Sequence, residues 1–210
     1  MAVYTKISKE NLENFLSKYD LGSLIYYKGI IQGIENTNYK IITDKGTYIL
    51  TLFEKRVKSK DLPFFINLQK HLSKCKFSCP IPIEDNNKKI INQILNKEAI
   101  IVSFLNGLQI NKPKPIHCFQ VGEMLSKIQK ITKNFKLTRK NSLSIGEWKK
   151  IFQKCSNISS NKFDSLIATI KEELIYLEKN WPLNLPKGII HCDVFKDNVF
   201  FKENKLTGLI

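Results

Sequence analysis

The order in which the hydrophobic rhythm of the chain changes constrains its fold more than any other feature. Short apolar or alternating runs dominate the first half: Leu24–Ile31, Thr37–Thr43, Thr47–Phe53, Lys89–Leu95 and Glu98–Phe104. Runs of this length, rich in Ile, Val, Tyr and Thr, predict β-strands. Asp44-Lys45-Gly46 supplies a tight turn between the second and third. A capped amphipathic segment precedes them, with Ser8 ahead of Leu12, Phe15 and Leu16. Another interrupts them, starting at Asp61 and Pro63 and carrying Phe64, Leu68 and Leu72 on one face. After Leu105-Asn106-Gly107 the period lengthens to that of helices, over Ile116–Ile131, Ile145–Cys155 and Phe163–Trp181. The chain closes on three short strand-like runs, Gly188–His191, Asn198–Phe201 and Leu206–Ile210, with a turn at Lys202–Lys205 between the last two. Strands with a helix, then a connector, then helices and a hairpin predict an α+β fold in two lobes. The boundary falls between residues 1–104 and residues 105–210, and a cleft between lobes is a natural site for a small molecule.

Composition narrows the function classes. The 210 residues carry 34 Lys and Arg against 19 Asp and Glu, a formal charge of +15. Such an excess of base invites a nucleic-acid partner, but only Arg56 and Arg139 are arginines and the 32 lysines are scattered through nearly every segment. Nucleic-acid readers concentrate arginine forks on one face. The scatter therefore reads as solvated surface, with a mild attraction for any anion. No apolar run approaches the roughly 18–20 residues that a membrane span needs. Cys75, Cys79, Cys118, Cys155 and Cys192 are odd in number and follow no secretory signal. They predict free thiols in a reducing cytoplasm, with packing roles for all but Cys192. Cys75 and Cys79 find no second pair to close a zinc site. His71 and His117 have no ligand partners at metal spacing and read as helix-surface or core-edge residues.

The sharpest motif is His191-Cys192-Asp193-Val194-Phe195-Lys196-Asp197-Asn198, between an apolar run and a strand. It fits H-x-D-x-x-x-x-N, the spacing of a phosphoryl-transfer catalytic loop. Asp193 is placed to accept the proton of an attacking hydroxyl. Asn198 offers a neutral amide oxygen to Mg²⁺, a hard cation that prefers oxygen. His191 supports the loop. Three fixed positions in eight also occur in ordinary surface turns; the flanking strands and the five upstream strand runs favour the catalytic reading.

Two further segments gain meaning beside that loop. Between the first two strands, Gly29 and Gly33 lead to Asn36, Thr37, Asn38 and Tyr39. Small and polar residues there let backbone N–H groups approach phosphates, although two glycines in a hairpin alone make only a turn. Ser103 to Gly107 fits a hinge whose backbone, at Ser103 and Leu105, reads an adenine edge; an ordinary strand-to-helix loop fits the same residues equally well.

The chain resembles the aminoglycoside phosphotransferase–choline kinase group of protein-kinase-like small-molecule kinases, and within it the homoserine kinase family. The resemblance is carried by Ala2–Thr5, Tyr19–Gly22, Lys28-Gly29-Ile30 with Gly33–Tyr39, Tyr48–Arg56, Asp61–Phe65, Cys79-Pro80 with Pro82, Trp181-Pro182, Leu185-Pro186 and Gly188–Phe201. It runs from the first residues to the last. It implies a protein-kinase-like fold, with an N-terminal nucleotide-binding lobe and a mostly helical C-terminal lobe. It implies ATP and Mg²⁺ as cofactors, L-homoserine as the phosphate acceptor, Asp193 as base and Asn198 as metal ligand. Nothing in it implies a nucleic-acid partner or a membrane.

Three departures from the wider kinase pattern stand out. The third-strand lysine that usually holds the phosphates is replaced by Thr51, with Lys55 or Arg56 as possible substitutes. Asp61–Phe65 stands where the following helix usually carries a glutamate. The family's next metal-binding Asp falls just beyond Ile210, and a long helical region follows it. The resemblance therefore implies a C-terminally truncated lobe with little or no activity on its own. Two alternatives remain: a kinase for choline, ethanolamine or an aminoglycoside, and a non-catalytic pseudokinase or basic nucleic-acid module.

Overall fold

The computed structural model describes residues 3–33, 35–54, 57–156 and 163–210. Lys55 and Arg56 lie outside the described residues. The chain forms two compact units, residues 1–137 with 188–210, and residues 138–187.

The first unit is built on a five-stranded antiparallel sheet of order β1-β2-β3-β5-β4. Its strands are β1 (Leu24–Gly29), β2 (Thr37–Thr43), β3 (Gly46–Leu52), β4 (Asn92–Ile94) and β5 (Lys97–Ser103). Strict alternation in β2, where Thr37, Tyr39, Ile41 and Thr43 are buried, assigns one face to the core. Helix α1 (Lys9–Leu16) covers that face, with the Ser8 hydroxyl accepting the Asn11 N–H at its start. Its Leu12, Phe15 and Leu16 pack with Tyr39, Ile41, Leu50, Leu52 and Ile101. Each fully buried aliphatic side chain contributes about 1.5–3 kcal/mol. The opposite face belongs to helix α2 (Leu62–Lys74), whose Leu62 and Ile66 pack on Ile100, Val102 and Ile49. The far half of α2, at Leu68 and Leu72, joins another cluster with Ile128, Val199, Phe201 and Leu209. That cluster is made by helix α3 (Pro115–Thr132) and the hairpin of β6 (Val199–Lys202) and β7 (Lys205–Leu209).

The second unit pairs helix α4 (Ile145–Ser156) with helix α5 (Asp164–Asn180). Trp148 and Trp181 meet edge to face at 5.5 Å, and the Trp148 indole donates to the Leu143 carbonyl at 2.6 Å. Neither helix buries any of its described side chains.

Strand and helix positions follow the sequence expectation with two corrections, and the cysteine roles need a third. The fourth strand is only Asn92–Ile94, not Lys89–Leu95. Asp85 takes the preceding residues away: its carboxylate accepts the N–H groups of Asn87 and Lys89, both at 2.8 Å, and the Asn92 amide at 3.1 Å. The β4–β5 turn is accordingly Leu95-Asn96, both left-handed, as a tight two-residue hairpin requires. Gly188–His191 runs without a strand partner among the described residues. Packing roles fail for Cys75, Cys118 and Cys155, which are exposed at helix ends or outer faces; only Cys79 is packed, against the hairpin cluster. All five thiols are unpaired. Among the described residues no helix is long and apolar enough to cross a membrane.

Candidate active site

The loop from His191 to Asn198 enters the β6–β7 hairpin, and three neighbours fix that hairpin. The connector after β5 bonds to it on both sides: Leu108 N–H donates to Phe201 O at 2.8 Å, and Phe201 N–H to Leu108 O at 2.9 Å. The next residue, Gln109, donates its amide to the Asp197 carbonyl at 2.6 Å. Two glycines let these backbones approach. A β-carbon on Gly107 would lie 2.5 Å from the Thr207 hydroxyl, and one on Gly208 would lie 2.6 Å from Ser78 O. From α3, Gln120 spans the hairpin turn, donating to Asn204 O at 2.9 Å and accepting Leu206 N–H at 2.7 Å. His117, buried beside it, reaches Asn204 Oδ1 at 3.2 Å and packs at a tilt against Phe201, 4.9 Å between centroids.

Within the loop the candidate side chains meet. Asn198 Nδ2 donates to the Asp193 carboxylate at 2.9 Å and to the Asp193 carbonyl at 2.8 Å. Asp193 N–H donates to His191 Nδ1 at 3.3 Å. Cys192, between them, is left-handed at φ 65°. A non-glycine residue there carries backbone strain that the surrounding hydrogen bonds must hold. Val194 anchors the loop in the hairpin cluster, whereas the Asp193 side chain remains exposed to solvent. An exposed carboxylate oriented by a neighbouring amide is suited to accept a proton. With Nδ2 engaged, the amide oxygen is the other polar atom of the Asn198 side chain.

The glycine-bearing segment lies on the five-stranded sheet. Gly29 ends β1 opposite Tyr39, and a β-carbon there would lie 2.8 Å from Val3, so packing alone accounts for this glycine. Gly33 is left-handed at φ 95° with open space around it. Asn38 Oδ1 accepts the Thr51 hydroxyl at 2.7 Å across the β2–β3 pair, and Asn36 Oδ1 accepts Glu54 N–H at 3.4 Å. Asn38 and Thr51 are thus brought together, while Asn36 is tied to the backbone at Glu54. Ser103 bonds to Ile81 through both its N–H and its hydroxyl, at 2.9 Å each, and Leu105 packs on Gly208. Among the described residues these groups form no hydrogen bond with Asp193 or Asn198.

Sequence reasoning missed the cluster that pins this segment. Glu54, 7% exposed, accepts from Thr37 Oγ1 at 2.6 Å and Thr5 Oγ1 at 2.8 Å, and pairs with Lys97. Burial pushes its carboxyl upward, but donation from Lys97, Thr37 and Thr5 prevails and holds it below the usual range. A carboxylate ending the apolar run Ile49–Phe53 was the available signal. Gln109 and Gln120 were missed as well, since neither belongs to a local motif. Among the described residues no three His, Cys, Asp or Glu side chains cluster as a metal site.

Residues 27–210 match the model of the phosphotransferase enzyme family. Curated relatives include the homoserine kinase of Sinorhizobium fredii (strain NBRC 101917 / NGR234), 44% identical over all of this chain and 64% of the relative. The homoserine kinase of Agrobacterium fabrum (strain C58 / ATCC 33970) is 42% identical, over 65% of its length. The chain thus spans slightly less than two thirds of these relatives. Among solved structures, amicoumacin kinase hAmiN, in complex with AMP-PNP, Ca²⁺ and Ami, superimposes with a TM-score of 0.70 at 15% identity, covering 96% of this chain and 62% of that one. Spectinomycin phosphotransferase APH(9)-Ia, with ADP and spectinomycin, gives 0.67 at 16% identity, covering 98% and 69%. The fold is therefore α+β and protein-kinase-like, and the chain belongs to the phosphotransferase enzyme family.

Proposed function

We propose that this chain is the larger part of an ATP-dependent homoserine kinase, which phosphorylates the side-chain hydroxyl of L-homoserine to O-phospho-L-homoserine for threonine biosynthesis. The observation that carries the chemistry is the Asp193–Asn198 pair at 2.9 Å, carried on a loop braced by α3 and the β5 connector. The names of relatives at 42–44% identity support the substrate. Residues 1–104 hold the nucleotide in this reading, and residues 105–210 contribute the catalytic loop. Five unpaired thiols fit a reducing cytoplasm.

Asp193 accepts the proton of the homoserine hydroxyl as that oxygen bonds to the γ-phosphorus and the bond to the β-phosphate oxygen breaks, releasing ADP. His191 and Asn198 hold Asp193 in place. A Mg²⁺ ion supplies charge neutralisation of the phosphates when bound. The Asn198 amide oxygen fits it as one hard ligand, and Mg²⁺ characteristically takes its others from phosphates and water. Transfer of this kind needs positioning and charge more than covalent work by the protein. The segment Gly29–Tyr39, with Asn36, Asn38 and Thr51, lies over the phosphates, and the connector at Ser103–Leu105 borders the adenine.

The test is ADP release with L-homoserine, choline, ethanolamine and an aminoglycoside in parallel. It uses this chain joined to the C-terminal third of the Sinorhizobium fredii relative, with the 210-residue chain as control. Release that depends on homoserine supports the reading. Release with another alcohol instead overturns the substrate.

A further inference from the structure

Lys28 and Lys40 are direct cross-strand partners in the β1–β2 register. Residues paired this way project from the same face of a sheet, with Cβ atoms about 5 Å apart, and like charges so placed destabilise the pair. Among the described residues neither lysine forms an ion pair to offset the repulsion. The register therefore sets two lysines opposite each other on one face of the sheet, with no ion pair to either among the described residues.

Their face is the informative one. Asn38 and Lys40 alternate with the buried Thr37, Tyr39 and Ile41, and so point away from α1. Asn38 stands opposite Thr51, and Lys40 opposite Ile49, so both lysines share the surface that carries the Thr51–Asn38 hydrogen bond. Helix α2 packs on the β3–β5 half of that surface, through Leu62 and Ile66. The same helix continues into the cluster that holds β6 and Val194, so the Asp193 loop lies on this side of the sheet. Lys40 is also directed towards the connector, with its Nζ 4.6 Å above the Phe104 ring. Lys28 immediately precedes Gly29, where the glycine-bearing segment begins.

Thr51, at the usual lysine position of β3, brings no charge to this surface. We propose that Lys28 and Lys40 together supply the positive charge that holds the phosphate chain of the nucleotide, a role moved from the third strand to the first two. An anion held between the two lysines offsets the cost of placing like charges opposite each other across the strands. This inference rests on the nucleotide-binding part of the proposed function.

Titration calorimetry with ATP and with adenosine tests it on the chain joined to the C-terminal third of the Sinorhizobium fredii relative, comparing the unaltered chain with Lys28→Met, Lys40→Met and the double variant, which keep most of each aliphatic stem. Each single change is expected to weaken ATP about tenfold at low salt, as one charge acting on several phosphate charges at solvent-like dielectric predicts. Adenosine affinity is expected to stay within twofold. Melting temperature without nucleotide is expected to hold or rise in Lys28→Met as the repulsion is removed. ATP affinity within twofold of the unaltered chain in the double variant overturns the inference and leaves the nucleotide reading standing. Equal losses for adenosine and ATP also overturn it, because the lysines then shape the sheet and do not hold phosphate. If the unaltered chain binds neither ligand, the nucleotide reading fails and takes the inference with it.

Discussion

Asn198 holds Asp193 by two bonds at once, its single amide donating to the carboxylate at 2.9 Å and to the main-chain carbonyl at 2.8 Å. The five-residue separation in the motif thus acts as a clamp, fixing both the backbone and the side chain of Asp193. This separates the consequences of changing each residue. Asp193→Asn keeps the shape but removes the proton acceptor, so kcat in the homoserine assay is expected to fall by about 10²–10⁴, the range typical of general-base removal. ATP affinity should change little. Asn198→Leu removes the clamp and is expected to lower kcat as well, with a change in the Mg²⁺ concentration needed for half-maximal rate. Near-normal turnover in Asp193→Asn removes Asp193 from the base role.

Gln120 is the second residue whose loss should be felt at the loop, from about one helical turn into α3. Its side chain satisfies Leu206 N–H and Asn204 O across the β6–β7 turn. Glu203 and Asn204 at that turn are both left-handed, the conformation of a two-residue hairpin turn. Gln120→Ala leaves one donor and one acceptor to water, and is expected to destabilise the chain by about 1–2 kcal/mol. Urea unfolding followed by tryptophan-independent far-ultraviolet dichroism measures it. Gln120→Glu keeps the acceptor for Leu206 N–H but loses the donor, and should fall between the two. A stability equal to the unaltered chain for Gln120→Ala shows that the clasp contributes nothing net.

How much of this was legible in the sequence depends on the range of each interaction. The β2 and β5 boundaries are visible because alternation and burial are written in consecutive residues. Ser8 was legible as a cap because capping acts over three residues. The Asp193–Asn198 motif was legible because both residues lie in one loop. The fourth strand was misjudged because Asp85, several residues upstream, competes for the N–H groups it needed. The bracing of the loop was invisible, since Gln120 and Asn204 are 84 residues apart and Gln109 and Asp197 are 88 apart. Glu54 illustrates the same limit: its partners Thr5, Thr37 and Lys97 come from three separate segments. Exposed cysteines on helices were misread as packed because small apolar residues give no sign of which helix face they occupy.

That exposure makes the thiols distinguishable. Burial pushes the Cys79 thiol up to about 11, so at pH 8 almost none of it is thiolate. Cys75, Cys118, Cys155 and Cys192 are exposed. Iodoacetamide at pH 8 should therefore label four sites readily, and the fifth only after denaturation. Peptide mass spectrometry identifies them; early labelling of Cys79 contradicts its place in the hairpin cluster.

The Glu54 cluster predicts an acid sensitivity with a definite sign. Burial raises its carboxyl, and donation from Lys97, Thr37 and Thr5 outweighs burial, leaving the folded value depressed. A depressed value means that the folded chain prefers the ionised form. Its stabilisation is fully present above the unfolded value of about 4.3 and is lost as pH falls through the folded value. Because Thr37 Oγ1 also accepts Tyr4 and Thr5 N–H, at 3.0 and 3.2 Å, protonation of Glu54 loosens the N-terminal segment together with the start of β2. Glu54→Gln should lower stability at pH 7 by about 1–3 kcal/mol, the range for leaving buried partners unsatisfied. The difference from the unaltered chain should shrink as pH drops below 4. A double-mutant cycle with Lys97→Met isolates the ion pair, and a coupling near zero at pH 7 would assign the cluster's contribution to the two threonine hydroxyls instead.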